Sequence, residues 1–310
     1  MKLKKGELTT QQIVGLIILI TSFVIILFFL FRLNIGKESK SELCHNSAIL
    51  KSKSIFPKDT TQLSCYRSYK CITQDGSCEG LNNPEIVKVD NITKIYSELA
   101  NEMTDCWWMF GNGNVNYVGK DFLKNNYCSI CSQVLFDNSL NKINGVKNGQ
   151  ISKDELYDYI SKTKMSDGKN TYAEYLFGTN NIEQLKQASS GNGGPATFGN
   201  IDVGKQFFVV MGITSEVSTT SWWVVAVGGT IAGTVIATSP IGWIAGAGVA
   251  ITSIAAGVAG SEISQKINPE ISAIVIKGKG VDNNFMSPTV VEANSDRFKA
   301  LNCQEILTYT

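Results

Sequence analysis

The chain has 310 residues, a formal net charge of +1 and 43% hydrophobic residues. This length allows a sizeable core in one large or two ordinary domains. A nearly neutral chain has no basic stripe to displace counterions from phosphates, so the charge excludes nucleic acid as a partner. The hydrophobic residues are spread unevenly, because two blocks hold a large share of them.

The first apolar block predicts a membrane anchor. Residues 1–12 are a basic N-terminus, and 13–32 begin with the run IVGLIILITSFVIILFFLF. About 19 helical residues span roughly 28 Å, close to the thickness of a hydrocarbon core. The Leu, Ile, Val and Phe content favours insertion by roughly 5–10 kcal/mol. Since no small-residue cleavage site follows, the run predicts an uncleaved transmembrane helix rather than a secretory signal.

The cysteines decide the orientation of this anchor. Basic residues are nearly balanced on its two sides, so charge alone does not set the topology. All the cysteines lie after the anchor, and their even number predicts disulfides in an oxidising space. We therefore expect a cell-membrane protein with a cytoplasmic N-terminus and most of the chain outside. The disulfide candidates are Cys44, Cys65, Cys71, Cys78, Cys106, Cys128, Cys131 and Cys303.

The N-terminal sequence MKLKKGELTTQQIVGLIILI resembles the class III signal of archaeal pilin-like proteins. The resemblance implies cleavage by a membrane peptidase after Gly6 and packing of the apolar helix into a filament core. The sequence departs from the pattern at Gln11, where such signals commonly carry glutamate, and its cysteine-rich remainder is not typical of a pilin subunit. The chain as a whole also looks like membrane proteins of small-genome archaea, a resemblance that implies no function.

After the anchor, the pattern predicts an exterior α+β domain in two parts. Residues 33–90 are a Cys-rich stalk or short helix leading into an irregular segment, where turn residues and cysteines dominate. The first part of the domain covers 91–216. Residues 262–310 complete it with strands and a short helix, and 204–216 and 270–280 are expected to be neighbouring strands of one sheet.

The clearest soluble helix lies in NITKIYSELANEMTDCWWMFGNG. Apolar residues recur at steps of three and four, and Gly111 suits the position just after a helix end. The same segment carries the sequon Asn91-Ile92-Thr93, a candidate for glycosylation on an exterior protein. The predicted core face comprises Ile92, Ile95, Tyr96, Leu99, Met103, Cys106, Trp107 and Phe110.

No cofactor, metal site or enzyme is expected from the remaining motifs. Cys128 and Cys131 form a C-x-x-C pair, which could be a redox dithiol or half a zinc site, but no second pair exists. Structural disulfides to distant partners are the preferred interpretation. His45 is the only histidine, and its neighbour Cys44 is adjacent in sequence, an arrangement that does not favour a thiol–imidazole pair.

The second apolar block, 221–261, lacks any charged residue and is rich in Gly, Ala, Thr and Val. A reversal at Pro240 divides it into two arms of nearly spanning length, which predicts a Gly/Ala-rich hydrophobic helical hairpin in the membrane. Insertion only on assembly or on contact with a target membrane, and a hairpin buried in a soluble core, are the alternatives. Small residues at four-residue steps would let helices pack closely. They are Gly229, Gly233, Ala237, Gly242, Gly246, Gly248, Thr252, Ala256 and Gly260.

Together these features predict a non-enzymatic, membrane-anchored structural or interaction protein of the cell surface. The hairpin would drive insertion and self-association, so the expected partners are membrane lipid, further copies of the chain and another cell-surface protein. A pore-forming or membrane-perturbing protein that uses 222–260, and a pilin-like filament subunit processed after Gly6, are the alternatives.

Overall fold

The computed structural model describes residues 10–32, 35–54, 62–118, 127–182, 197–214, 234–236, 249–250, 252–254, 274–277, 284–301, 303 and 305–309. Within these residues, helices pack against a mixed β-sheet, and four disulfides join the elements. The predicted α+β class of the domain is confirmed.

The described helices differ widely in length. Two short helices, Lys153–Lys162 and Tyr172–Phe177, begin at the hydroxyl caps Ser152 and Thr171, whose side chains accept backbone N–H groups of the first turn. The helices are α1 (Thr10–Arg32), α2 (Ile35–Lys53), α3 (Ile92–Met109), α4 (Lys153–Lys162), α5 (Tyr172–Phe177) and α6 (Asp296–Ala300), with a 3-10 helix at Asn138–Lys142.

The described strands are β1 (Ser68–Thr73), β2 (Glu85–Lys88), β3 (Tyr127–Phe136), β4 (Gln150–Ser152), β5 (Asn200–Asp202), β6 (Gln206–Thr214), β7 (Thr234–Ile236), β8 (Val249–Ala250), β9 (Thr252–Ile254), β10 (Val275–Lys277), β11 (Asn284–Glu292) and β12 (Glu305–Ile306). The main sheet has the strand order β2-β1-β3-β6-β11-β10-β8, and β12 also pairs with β3. The β1–β2, β1–β3 and β3–β12 pairs are parallel, whereas the ladder from β3 to β8 is antiparallel.

Helix α3 forms where the sequence predicts it. The Asn91 side chain caps its start by accepting the Lys94 N–H, and Gly111 follows its end at φ +77°, a conformation that suits glycine. Seven of the eight predicted core residues are buried, and the eighth, Ile92, is partly buried and packs against the core. The Trp107 ring meets Phe285 of β11 edge-on with a centroid separation of 6.0 Å, which seats α3 on the sheet.

Helix α1 carries large apolar side chains on all sides. Those that are exposed range from 45% at Ile13 to 68% at Leu19, and Leu27 is half-buried. The side chains that the structure describes in this helix run from residue 13 to residue 28. Counted over described residues alone, none of the helices combines the length and the apolar character that crossing a membrane requires.

The prediction of an irregular segment within 33–90 is wrong for two strands. Residues of β1 pair in parallel with β3 from Ser68 to Ile72, and β2 adds an edge strand beyond β1. Both strands are short, and the pair depends on β3, which lies far along the chain from β1, so local turn residues dominate the sequence signal. The segment before these strands was predicted to be a stalk or a short helix, and α2 agrees with the second alternative.

The predicted adjacency of 204–216 and 270–280 is also wrong, although both contribute to one sheet. Strand β11 lies between β6 and β10 and pairs with both. Pro288 falls where the β11–β6 register shifts, between Met286 and Thr289. Because proline lacks a ladder donor, it fits a strand at such an irregularity.

Most of the predicted helical hairpin at 221–261, including Pro240, lies outside the described residues. Its described residues are extended: β7 pairs antiparallel with β9, and β8 pairs with β10 of the main sheet. For these residues the helical prediction is wrong. Their β-branched Thr, Val and Ile favour strands, and β8 gains a ladder partner far along the chain.

Candidate functional site

The eight cysteines pair completely. Cys106 of α3 bonds to Cys131 of β3, and Cys128 of the same strand bonds to Cys303. The C-x-x-C pair is therefore divided between two structural bridges, as the preferred interpretation requires, and neither cysteine is available as a redox dithiol or a zinc ligand. The remaining pairs are Cys44–Cys65 and Cys71–Cys78.

Helix α2 is fastened to the domain by a group of residues that we call the α2 clamp: Cys44, His45, Ala48, Cys65 and Trp108. Cys44 and Ala48 are fully buried, and the Cys44–Cys65 bridge ties the helix to the chain that leads into β1. A disulfide of this kind restricts the unfolded chain and keeps the two segments together when other contacts open.

The aromatic half of the α2 clamp joins α2 to the C-terminal end of α3. The His45 and Trp108 rings stack with centroids 4.3 Å apart and an interplanar angle of 7°. His45 Nδ1 lies 2.6 Å from the Trp108 carbonyl oxygen, which can only accept, so Nδ1 carries the proton. Because Cys44 is oxidised in the bridge to Cys65, the adjacent cysteine and histidine do not form a thiol–imidazole pair.

A charged cleft of about 360 Å³ runs along the polar side of α3. Lys70 Nζ of β1 lies 2.9 Å from Glu98 Oε1 and 2.5 Å from Glu102 Oε1. Burial lowers the pKa of Lys70, but the charges and hydrogen bonds of Glu102 and Glu98 outweigh burial and raise it overall. Desolvation, reinforced by the Glu102 charge, raises the pKa of Asp105 in the same cleft.

A second polar cleft, of about 390 Å³, lies at the carboxyl ends of the parallel strands β1 and β3. Asp75 Oδ1 accepts hydrogen bonds from the Ser77 hydroxyl at 2.5 Å and the Ser77 N–H at 2.9 Å, which lower its pKa to about 2. Asp137 Oδ1 accepts from the Ser139 N–H at 2.8 Å. Within the described part of the chain, no three acidic, cysteine or histidine side chains are arranged to hold a metal ion.

A third cleft, of about 470 Å³, separates β4 and β5 from the end of β11. Lys205 joins its two walls, because the ammonium lies 2.8 Å from Asp202 Oδ2 and 2.9 Å from Glu292 Oε1. The buried Lys153 side chain donates to the Val290 carbonyl oxygen at 3.4 Å. These contacts pair charged and polar groups of different elements, so Lys205 and Lys153 have a structural role.

Comparisons with protein-family models, curated proteins and solved structures find no match to this chain.

The predicted site residues have four different outcomes. All eight cysteines form structural bridges, and Asn91 lies exposed at the start of α3. Thr252 belongs to strand β9, so the prediction that it packs in a helix is wrong. The others lie outside the described residues: Gly6, Gly229, Gly233, Ala237, Pro240, Gly242, Gly246, Gly248, Ala256 and Gly260.

Sequence reasoning missed the α2 clamp and the role of Lys70. The two rings of the clamp are 63 residues apart, and Lys70 reaches carboxylates 28 and 32 positions further along the chain. A single histidine beside a cysteine, and a lysine inside a short strand, carry no local pattern that would connect them to these partners. Only the carboxylates Glu98 and Glu102, spaced for one face of a helix, were recognisable as a pair.

Proposed function

We propose that this chain is a membrane-anchored structural or interaction protein of the cell surface, in which α1 holds a disulfide-bonded α+β domain next to the bilayer. One observation carries the proposal: the described apolar side chains of α1, apart from the half-buried Leu27, are exposed on every side, whereas most of those in α3, β3, β6 and β11 are buried. Transferring such side chains from water to an apolar medium is worth roughly 1.5–3 kcal/mol each. Lipid supplies that medium.

The length of α1 supports the same proposal. Its 23 residues extend over roughly 34 Å at 1.5 Å per residue, which matches the hydrocarbon thickness of a bilayer. Thr21 and Ser22 in its middle donate their hydroxyl hydrogens to backbone carbonyl oxygens within the helix, so neither needs water as a partner. The helix thus presents to lipid a surface that is apolar in its described part.

The disulfides support an exterior position for the domain. Bridges of this kind form and persist in oxidising compartments and are rare in the cytosol. Since every cysteine follows α1 in the chain, the domain and the N-terminus would lie on opposite sides of the membrane.

The α2 clamp would hold the domain in a fixed relation to the helix that follows the anchor. A flexible linker would leave the domain free to rotate, whereas α2 is bonded covalently at Cys44 and stacked through His45. A fixed domain presents the same surfaces to each neighbour, which favours contacts with further copies of the chain or with another cell-surface protein.

The uncharged block 221–261 is proposed as a second element that contacts lipid and other copies of the chain. Replacing Gly229 and Gly233 with Leu should reduce cross-linked oligomers of the full chain in membranes, because close backbone approach needs small residues. Alanine at both positions is the matched control. If vesicle leakage accompanies the wild-type oligomers and disappears with them, the membrane-perturbing alternative gains support; loss of oligomers from vesicles that never leaked would remove it.

Processing at the N-terminus is a separate proposal that follows from the pilin-like resemblance. Cleavage after Gly6 predicts that the purified full-length product begins at Glu7. An intact terminus at Met1 or Lys2 would leave a plain anchor and remove the filament-subunit alternative.

Alkaline extraction of membranes tests the main proposal. The full chain should remain with the membrane pellet after carbonate treatment and should be released by detergent, with a mobility that shifts on reduction. Release by carbonate alone would show that the chain is only peripherally bound and would contradict an α1 anchor.

A further inference from the structure

We propose that Asn91 carries an N-linked oligosaccharide. Of all the asparagines in the sequence, only Asn91 begins an Asn-x-Ser/Thr tripeptide. The inference rests on the exterior position proposed above, because transfer of oligosaccharides to such tripeptides takes place on the far side of the membrane from the cytosol.

The local structure leaves room for a glycan. Asn91 and Thr93 are both exposed, and Asn91 has the extended backbone angles φ −151° and ψ 164°. Its neighbours Asp90 and Lys94 form an ion pair at 2.7 Å, with side chains 69% and 54% exposed. A bulky, hydrated substituent on Nδ2 can therefore extend into solvent.

The same side chain caps α3, and the cap survives the modification. Asn91 Oδ1 accepts the Lys94 N–H at 2.9 Å, and Nδ2 donates one hydrogen to Asp90 Oδ1 at 2.6 Å. An amide nitrogen carries two hydrogens, and glycosylation replaces only one. Both hydrogen bonds can persist in the product, so the modified protein keeps the start of α3.

The transfer needs a lipid-linked oligosaccharide as donor. A bond forms between Asn91 Nδ2 and the anomeric carbon of the first sugar, while the bond from that carbon to the lipid phosphate oxygen breaks. The phosphate leaves with the electron pair, and Nδ2 gives up one proton to the transferase. No oxidant or reductant takes part.

The position of Asn91 places the glycan away from the α2 clamp. Trp108 of the clamp lies near the C-terminal end of α3, and Asn91 precedes its first residue. Seventeen residues of helix separate them by roughly 26 Å. The oligosaccharide would cover the end of α3 that faces away from α2 and would leave the clamp unobstructed.

Thr93, the third residue of the tripeptide, allows a set of matched variants. The full chain and its variants Asn91→Asp, Thr93→Ala and Thr93→Ser are produced in a host whose secretory membranes glycosylate Asn-x-Thr tripeptides, and each intact mass is measured. Asn91→Asp keeps a side-chain oxygen that can cap α3, and Thr93→Ala leaves the Asn91 cap in place. Loss of the carbohydrate in either variant therefore cannot be attributed to loss of the helix cap.

We expect a carbohydrate mass on the wild type and on Thr93→Ser, and its complete loss in Asn91→Asp and Thr93→Ala. A wild type with oxidised cysteines and a bare mass would overturn the glycosylation proposal alone. A wild type with free thiols and a bare mass would overturn it together with the exterior position of the domain. A carbohydrate mass that persists in Asn91→Asp would assign the modification to another residue and would equally overturn the proposal.

Discussion

Helices α1 and α3 are of comparable length, 23 and 18 residues, but they meet opposite surroundings. Leu19 of α1 is 68% exposed, whereas Leu99 of α3 is completely buried. In α3 the apolar residues occupy one face and Glu98 and Glu102 another, so the protein itself covers the face that avoids water. In the described part of α1 apolar residues occupy every face.

The difference shows what decides the environment of a helix. A single apolar stripe can be satisfied by a neighbouring sheet, but a helix that is apolar all round must be surrounded on all sides. The described side chains of α1 remain largely exposed, which is why we propose lipid as the surroundings of this helix. Changes to α1, or to the contacts that α3 makes with the rest of the domain, test this difference.

The largest effect is expected from charges in the middle of α1. Leu19→Lys combined with Val24→Lys should cost about 5–7 kcal/mol of insertion free energy, since each charge near the bilayer centre costs roughly 2.5–3.5 kcal/mol. The double variant should leave the carbonate-resistant membrane fraction. Leu19→Met with Val24→Ile is the control and should stay there. Equal retention of both would show that another segment anchors the chain.

The next largest effect concerns the bridge that holds α3 on the sheet. Replacing Cys106 and Cys131 with Ala should lower the free energy of unfolding by about 3–4 kcal/mol, because the 25-residue separation is constrained in the unfolded chain. The same change at Cys71 and Cys78, only seven residues apart, should cost about 2 kcal/mol. Urea unfolding measures both, and the reverse order would contradict the packing of α3 described here.

A smaller effect is expected on the polar side of α3. Lys70→Met should destabilise the domain by about 2–3 kcal/mol, because it leaves the largely buried Glu102 carboxylate without its ammonium partner. Lys162→Met removes the exposed pair with Asp158 and should cost less than about 0.5 kcal/mol. Similar unfolding midpoints for the two variants would show that the Lys70 contacts contribute little.

The Lys70 pair also predicts a pH dependence. Its pKa is raised in the folded state, so the stabilisation is complete below the unfolded value of 10.5 and is lost as pH rises beyond it. Between neutral pH and about pH 9, the difference in unfolding free energy between wild type and Lys70→Met should therefore stay constant. A difference that already disappears near neutral pH would contradict this assignment.

The smallest effect is expected at the α2 clamp, which joins α2 to the C-terminal end of α3. His45→Ala should lower the local opening free energy of α2 by about 1–2 kcal/mol through loss of the ring stack and the hydrogen bond. His45→Phe keeps a ring and should lose about half as much. Hydrogen exchange of the α2 amides after residue 44 measures both; unchanged exchange in His45→Ala would show that the Cys44–Cys65 bridge alone holds the helix.

Sequence reasoning located α3 well because its signals are local. The apolar spacing, the cap at Asn91 and the glycine after the helix all fall within about 20 neighbouring residues, and helix formation and capping depend on residues that are close in sequence. The strand β6 was likewise predicted, within 204–216, where β-branched and aromatic residues form a run. The strand β11 was missed because Pro288 interrupts its pattern, and only the shifted register with β6 explains how the strand accommodates it.

The elements that sequence reasoning missed depend on distant partners. Strand β1 needs β3, which is some 60 residues away, and the partly buried Lys70 ammonium is stabilised there by Glu98 and Glu102. Disulfide connectivity has the same character, because the even count of cysteines indicates bridges but not which residues meet. The helical prediction for residues around Thr252 failed where β8 and β9 find strand partners, since pairing outweighed the small-residue spacing.

Site-directed labelling of intact cells tests the topology most directly. Single cysteines at Lys169, which is exposed in the turn before α5, and at Lys2 are introduced into the chain while its native cysteines remain oxidised. With a membrane-impermeant thiol reagent, we predict labelling of Lys169→Cys from outside and of Lys2→Cys only after permeabilisation. Labelling of both positions in intact cells, or of neither, would contradict the claim that α1 holds the disulfide-bonded domain on the outer side of a membrane.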